Sequence, residues 1–96
     1  MRIRTHPGEI LSEEFMQPLG LSANALGRAL DVPANRISDI VRGRRAVTAD
    51  TAKRLAAAFS TTPQFWLNLQ ANYDLSVADA DHHDEYEGIR PIAAFA

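Results

Sequence analysis

The sequence predicts an all-α domain built around a helix-turn-helix, followed by an acidic C-terminal tail. Three observations predict it. Val and Ile are few and never alternate strictly with polar residues, so strands are not expected. Apolar residues recur instead at helical spacing, in short blocks bounded by caps and breakers. Residues 21–60 hold seven basic side chains against three acidic ones, although the chain as a whole has a formal net charge of −2.

Five helices follow in order. The first begins near Pro7, whose fixed φ and missing N–H suit a first turn. Ile10, Leu11 and Phe15 form its buried side, Glu9, Glu13 and Glu14 stay in water, and Pro18 and Gly20 end it. The second opens at the N-cap Ser22 and buries Leu26 and Leu30. The third opens at Pro33 or Ala34, buries Ile37, Ile40 and Val41, and stops at Gly43, a left-handed C-cap. The fourth follows the N-cap Thr48, and Ala52, Leu55, Ala56 and Phe59 mark its buried face at i, i+3, i+4 and i+7.

The fifth helix follows Thr62, takes Pro63 in its first turn and is expected to end near Asp79. At about 100° per residue it carries two apolar stripes. One holds Phe65, Trp66, Leu69, Tyr73 and Val77; the other holds Leu67, Ala71, Leu75 and Ala78. A surface helix buried on one side has a single stripe. Two stripes imply two covered sides, one on the domain core and one on a second subunit. Phe65, Trp66, Leu69, Tyr73 and Val77 are the expected dimer contacts. The division is then a domain over residues 1–79 and a tail over 80–96, and the stretch across that boundary is acidic, with Asp79, Asp81, Asp84, Glu85 and Glu87.

Composition narrows the function. Leu, Ile, Val and Phe account for 23 of the 96 residues, above the roughly 20% below which chains stay disordered. There is no cysteine, which excludes disulfides, thiolate nucleophiles and cysteine-held zinc and fits a cytoplasmic location. No apolar run has the length of a signal peptide or a membrane span. His82 and His83 beside Asp84 and Glu85 are adjacent residues, which rarely converge on one ion. No phosphate loop and no nucleophile with its base is present, so neither an enzyme nor a cofactor or metal is expected. The basic centre and acidic ends point to two partners of opposite charge.

Residues 26–43 have the spacing of a helix-turn-helix. Gly27 is the small residue needed where the second helix crosses the first. Asp31 stands where such turns usually have Gly, and it tolerates a left-handed backbone better than most residues. Val32 fills the corner, and Ile37 and Ile40 anchor the next helix from beneath. Asn35, Arg36, Ser38, Asp39 and Arg42 are left facing outward, a polar face suited to the major groove of DNA. Asn35 is the adenine candidate, and Arg36 or Arg42 the guanine candidate. Arg44, Arg45, Ser22 and Thr48 are placed for phosphates. A dimer sets two such helices about 34 Å apart, on a pseudo-palindromic double-stranded operator.

Four blocks then carry a family resemblance: HPGEIL at 6–11, NRISDIVRGRR at 35–45, TADTAKRLAAAF at 48–59 and FWLNLQANYDL at 65–75. In this order and spacing the chain resembles the HigA-type antitoxins over about residues 6–79. Asp31 and Ala34 depart slightly from the pattern. The resemblance implies a Cro/λ-repressor-like fold, autorepression of a toxin–antitoxin operon, and a RelE-like toxin that cleaves mRNA on the ribosome. Glu9, Glu13 and Glu14, and the acidic tail, are surfaces a cationic toxin would meet. Two other readings remain. One is a stand-alone helix-turn-helix regulator without a toxin; the other is an interaction protein that no longer binds DNA, against which the seven basic residues of the centre argue.

Overall fold

The computed structural model describes residues 3–95, and among them every regular element is helical. Helix α1 covers residues 7–19. It opens as an α-turn at Pro7–Ile10, widens into π geometry over Leu11–Met16 and closes with Gln17–Leu19. The widening has a local cause. Pro18 lacks an N–H, and its ring crowds the carbonyl four residues back. The preceding turn shifts register to make room, and the Gln17 N–H bonds to the Ser12 carbonyl, five residues back. Pro18 therefore sits inside the last turn, and the helix ends at Gly20, with the Leu21 N–H closing onto the Met16 carbonyl at 2.9 Å.

Helix α2 spans Ala23–Leu30, α3 Ala34–Val41, α4 Ala49–Phe59 and α5 Pro63–Glu87. Ser22, Thr48 and Thr62 cap α2, α4 and α5 through their side-chain oxygens. Leu11, Leu26, Ile37, Ile40, Ala52, Leu55 and Trp66 meet in one core, each at most 1% exposed. Polar groups that enter it are satisfied. Gln70 accepts the Val47 N–H at 2.8 Å and donates to Asp74 at 2.9 Å, and the Trp66 indole N–H donates to Thr61 Oγ1 at 2.8 Å.

The segment before α1, from Arg4 to His6, is strapped across the middle of α5. The Arg4 N–H donates to Ser76 Oγ at 2.8 Å, and the His6 ring meets Tyr73 edge-on at 4.8 Å between centroids. His6 Nδ1 accepts the Gly8 N–H at 2.9 Å and so caps α1. Gly8 lies against the end of α3, where a Cβ would overlap the Ile40 carbonyl.

Two expectations for the fifth helix are corrected here. First, α5 does not stop near Asp79. It continues to Glu87, with one non-helical residue, His82 (φ −133°, ψ 20°), marking a kink. Burial is what ends at Asp79, because every described residue from Ala80 onward is exposed. Residues 80–87 are therefore a projecting helical end, and a short 3₁₀ turn follows at Ala93–Phe95. The radius of gyration is 16.4 Å, against about 13 Å for a compact chain of this length.

Second, the stripe expected to meet a second subunit is largely the one that meets the core. Trp66 is fully buried and leaves no surface for a second subunit: its indole N–H is already bonded, and its rings lie against Phe15 and Phe65. Tyr73 is half-buried against His6, and Leu69 packs on the core. Phe65 and Val77 lie nearer the margin of this face, Phe65 at 38% exposure. The other stripe is open only in its middle, where Leu75 is 65% exposed and Ala71 is exposed, while Leu67 packs on the core and Ala78 is half-buried.

Candidate nucleic-acid interface

The turn between α2 and α3 is built as its residue types demand. Asp31 takes a left-handed backbone (φ 57°, ψ 48°), and the Val32 N–H returns to the Gly27 carbonyl at 2.9 Å. A Cβ on Gly27 would lie 2.9 Å from the Val32 carbonyl oxygen and 3.2 Å from the Ala34 Cα, so only glycine lets the two helices approach this closely. Ile37 and Ile40 are fully buried beneath α3.

With that side fixed inward, the opposite side of α3 points to water. Asn35 and Arg42 are exposed, and Arg36, Ser38 and Asp39 are half-buried. The helix closes at Gly43 (φ 74°), whose N–H bonds to the Ile40 carbonyl at 3.0 Å while the Arg44 N–H reaches the Asp39 carbonyl at 2.8 Å. This closure projects Arg44 and Arg45 from the surface directly after α3. Ser22 and Thr48 are exposed at the starts of α2 and α4, and each side-chain oxygen accepts its own helix's N–H, from Ala25 at 3.0 Å and from Thr51 at 3.4 Å.

Arg36 is not a free side chain. Its Nη1 donates to Asp50 Oδ2 at 3.1 Å, and the same oxygen accepts Arg54 Nε at 3.0 Å. Arg54 Nη1 donates onward to the Leu30 carbonyl at 2.8 Å, at the C-terminus of α2. The hydrogen bond from Arg54, joined by that from Arg36, holds the Asp50 carboxyl below its ordinary value of 3.8. The sequence alone assigns neither Asp50 nor Arg54 a role at this face. The available signal was their i, i+4 spacing on α4.

The acidic face of α1 lies close by. Glu9, Glu13 and Glu14 are all exposed. Glu9 and Glu13 line a shallow open groove with His6, Ser12, Gln17, Val41, Arg42 and Gly43, between α1 and the end of α3. Glu14 is not part of that groove's lining. His82 and His83 stand in water on the projecting end of α5, paired along the helix with Glu85 at 3.2 Å and Glu87 at 3.8 Å. No helix among the described residues is long and apolar enough to cross a membrane.

A buried-backed α3 with a polar outer face and a basic exit defines a helix-turn-helix protein, and the helix-turn-helix family model matches residues 13–66. Virulence-associated protein I of Dichelobacter nodosus is 55% identical over 76 residues, which cover 79% of this chain and 70% of that protein. Antitoxin HigA-1 of Vibrio cholerae serotype O1 is 38% identical over 85 residues, covering 88% and 80%. Among solved structures, the Pseudomonas aeruginosa antitoxin HigA with the higBA promoter superposes with a TM-score of 0.87 at 45% identity, covering 92% of this chain and 97% of that one. The chain belongs to the helix-turn-helix family of HigA-type antitoxins, whose members are regulators and not enzymes.

Proposed function

We propose that this protein is an antitoxin that binds a pseudo-palindromic operator as a homodimer, represses its own operon and neutralises a RelE-like mRNA-cleaving toxin in the cytoplasm. The observation that carries the DNA reading is the polar outer face of α3, with Asn35 and Arg42 exposed and Arg44 and Arg45 projecting behind it. The structure of the Pseudomonas aeruginosa relative with the higBA promoter supports a DNA-binding role. Asn35, Arg36 and Arg42 contact base edges, with Ser38 and Asp39 beside them. Arg44, Arg45, Ser22 and Thr48 hold phosphates.

The second subunit docks on the open stripe of α5, around Leu75 and Ala71, where apolar surface stands uncovered. Glu9, Glu13 and Glu14 offer the toxin an acidic face, as a cationic RNA-binding partner requires. Co-purification with the product of the adjacent gene, followed by a gel-shift on the shared promoter, tests the reading. The expected result is a stable complex that also shifts the promoter. A shift without a complex would make the protein a stand-alone regulator; a complex without a shift would remove the repressor role.

A further inference from the structure

Arg36, Asp50 and Arg54 form a continuous bridge. It runs from the carbonyl end of α2, through the first turns of α4, to the outer face of α3. Stability does not explain it. The side chains of Asp50 and Arg36 are 59% and 29% exposed, and pairs in such settings contribute little to folding. Electrostatics makes it odder still, because Asp50 places a carboxylate beside the face that would approach a polyanion.

Geometry supplies the reason. Asp50 engages only Nη1 of Arg36, which leaves the Nη2 edge of the guanidinium to donate elsewhere. The Asp50 oxygen is itself fixed by Arg54, and Arg54 is fixed by a backbone carbonyl at 2.8 Å, so the strut ends on rigid main chain. A long side chain with many rotamers is thereby held in one orientation before any ligand arrives, which lowers the ordering cost of a two-bond contact to a base.

We infer that Asp50, braced by Arg54, is a specificity-determining positioning residue that presents Arg36 to a guanine edge without touching DNA itself. The inference rests on the reading of Arg36 as a base contact, and the experiment separates the two. The full-length wild type and the Arg36→Ala, Asp50→Asn and Arg54→Met variants are each presented with a pool of randomised DNA duplexes. Each is then titrated against the duplex that the wild type selects and against its single-base-pair substitutions. Thermal unfolding accompanies every variant.

A bidentate arginine–guanine pair gives about 5- to 150-fold discrimination against a wrong base. Arg36→Ala is expected to erase this preference at one position of each half-site. Asp50→Asn is expected to reduce it at least threefold at that same position while binding to unselected DNA stays level or rises, since a negative charge has gone. Arg54→Met shows the same loss more weakly. A purely structural Asp50 gives another pattern, a lower melting temperature with base preference intact, and that result overturns the inference alone. If Arg36→Ala leaves the preference unchanged, or if the wild type selects no sequence, the reading of Arg36 falls and the inference falls with it.

Discussion

His6 shows how one side chain ties three helices to one protonation state. Its Nδ1 accepts the Gly8 N–H, its ring meets Tyr73 of α5, and it lines the groove beside Gly43 at the end of α3. Only a neutral ring accepts at Nδ1 in this way. Burial holds the imidazole below its ordinary value of 6.5, with the negative charge of Asp74 opposing that shift. The folded protein thus binds fewer protons than the unfolded chain below pH 6.5. Stability conferred by His6 is complete above that pH and is lost as pH falls through the lower folded value. Melting temperatures measured from pH 7.5 to 5 should decline below about 6.5, and His6→Asn should flatten that part of the profile. A profile identical for the two proteins would remove the role. The arginines divide differently. Arg45→Ala should weaken binding to all DNA sequences alike and reduce the salt slope by about one per subunit, as measured by titration at several salt concentrations.

At the scale of elements, much was legible in the residues. Ser22, Thr48 and Thr62 announced three helix starts, because a short side-chain oxygen before an apolar period does the same job wherever it occurs. Gly27 and Asp31 gave the turn, since close crossing and a left-handed backbone admit few residue types. The π geometry of α1 was not legible, because a proline late in a helix is as often a stop as a kink. Nor was the side of α5 that faces inward. Periodicity counts stripes but does not say which one packs inward; in the fold it is the one with Trp66, which is fully buried against Phe15 with its indole N–H satisfied by Thr61. The Arg36–Asp50–Arg54 bridge stayed hidden because two of its three links join different helices. Two variants examine the elements. Gly27→Val should unseat α3 from α2 at a cost of about 1–3 kcal/mol or more, read by denaturant midpoint. Gln70→Ala should cost about 1–3 kcal/mol, because the buried Val47 N–H loses its acceptor.

The whole molecule divides into a packed part and a projecting part, with the division at Asp79 rather than at a helix end. A chain truncated after residue 79 should keep its melting temperature nearly unchanged in dilute solution, since no described residue beyond that point is buried. A loss of several degrees would mean that the projecting end supports the core through a second copy. With about 8 phosphate contacts per dimer, the logarithm of operator affinity should fall against the logarithm of salt with a slope near −7.

The N-terminal strap also bears on the order of folding. Helices α2 and α3 are joined by only a three-residue turn, so their pairing closes a short loop and costs little chain entropy. The bond from Arg4 to Ser76 spans 72 residues and is among the most expensive closures in the chain. During synthesis the helix-turn-helix can assemble as soon as its own residues are free. A segment made before the helix-turn-helix has to wait for one made after it before it can dock, which makes the strap a late event in a fold otherwise made of near neighbours.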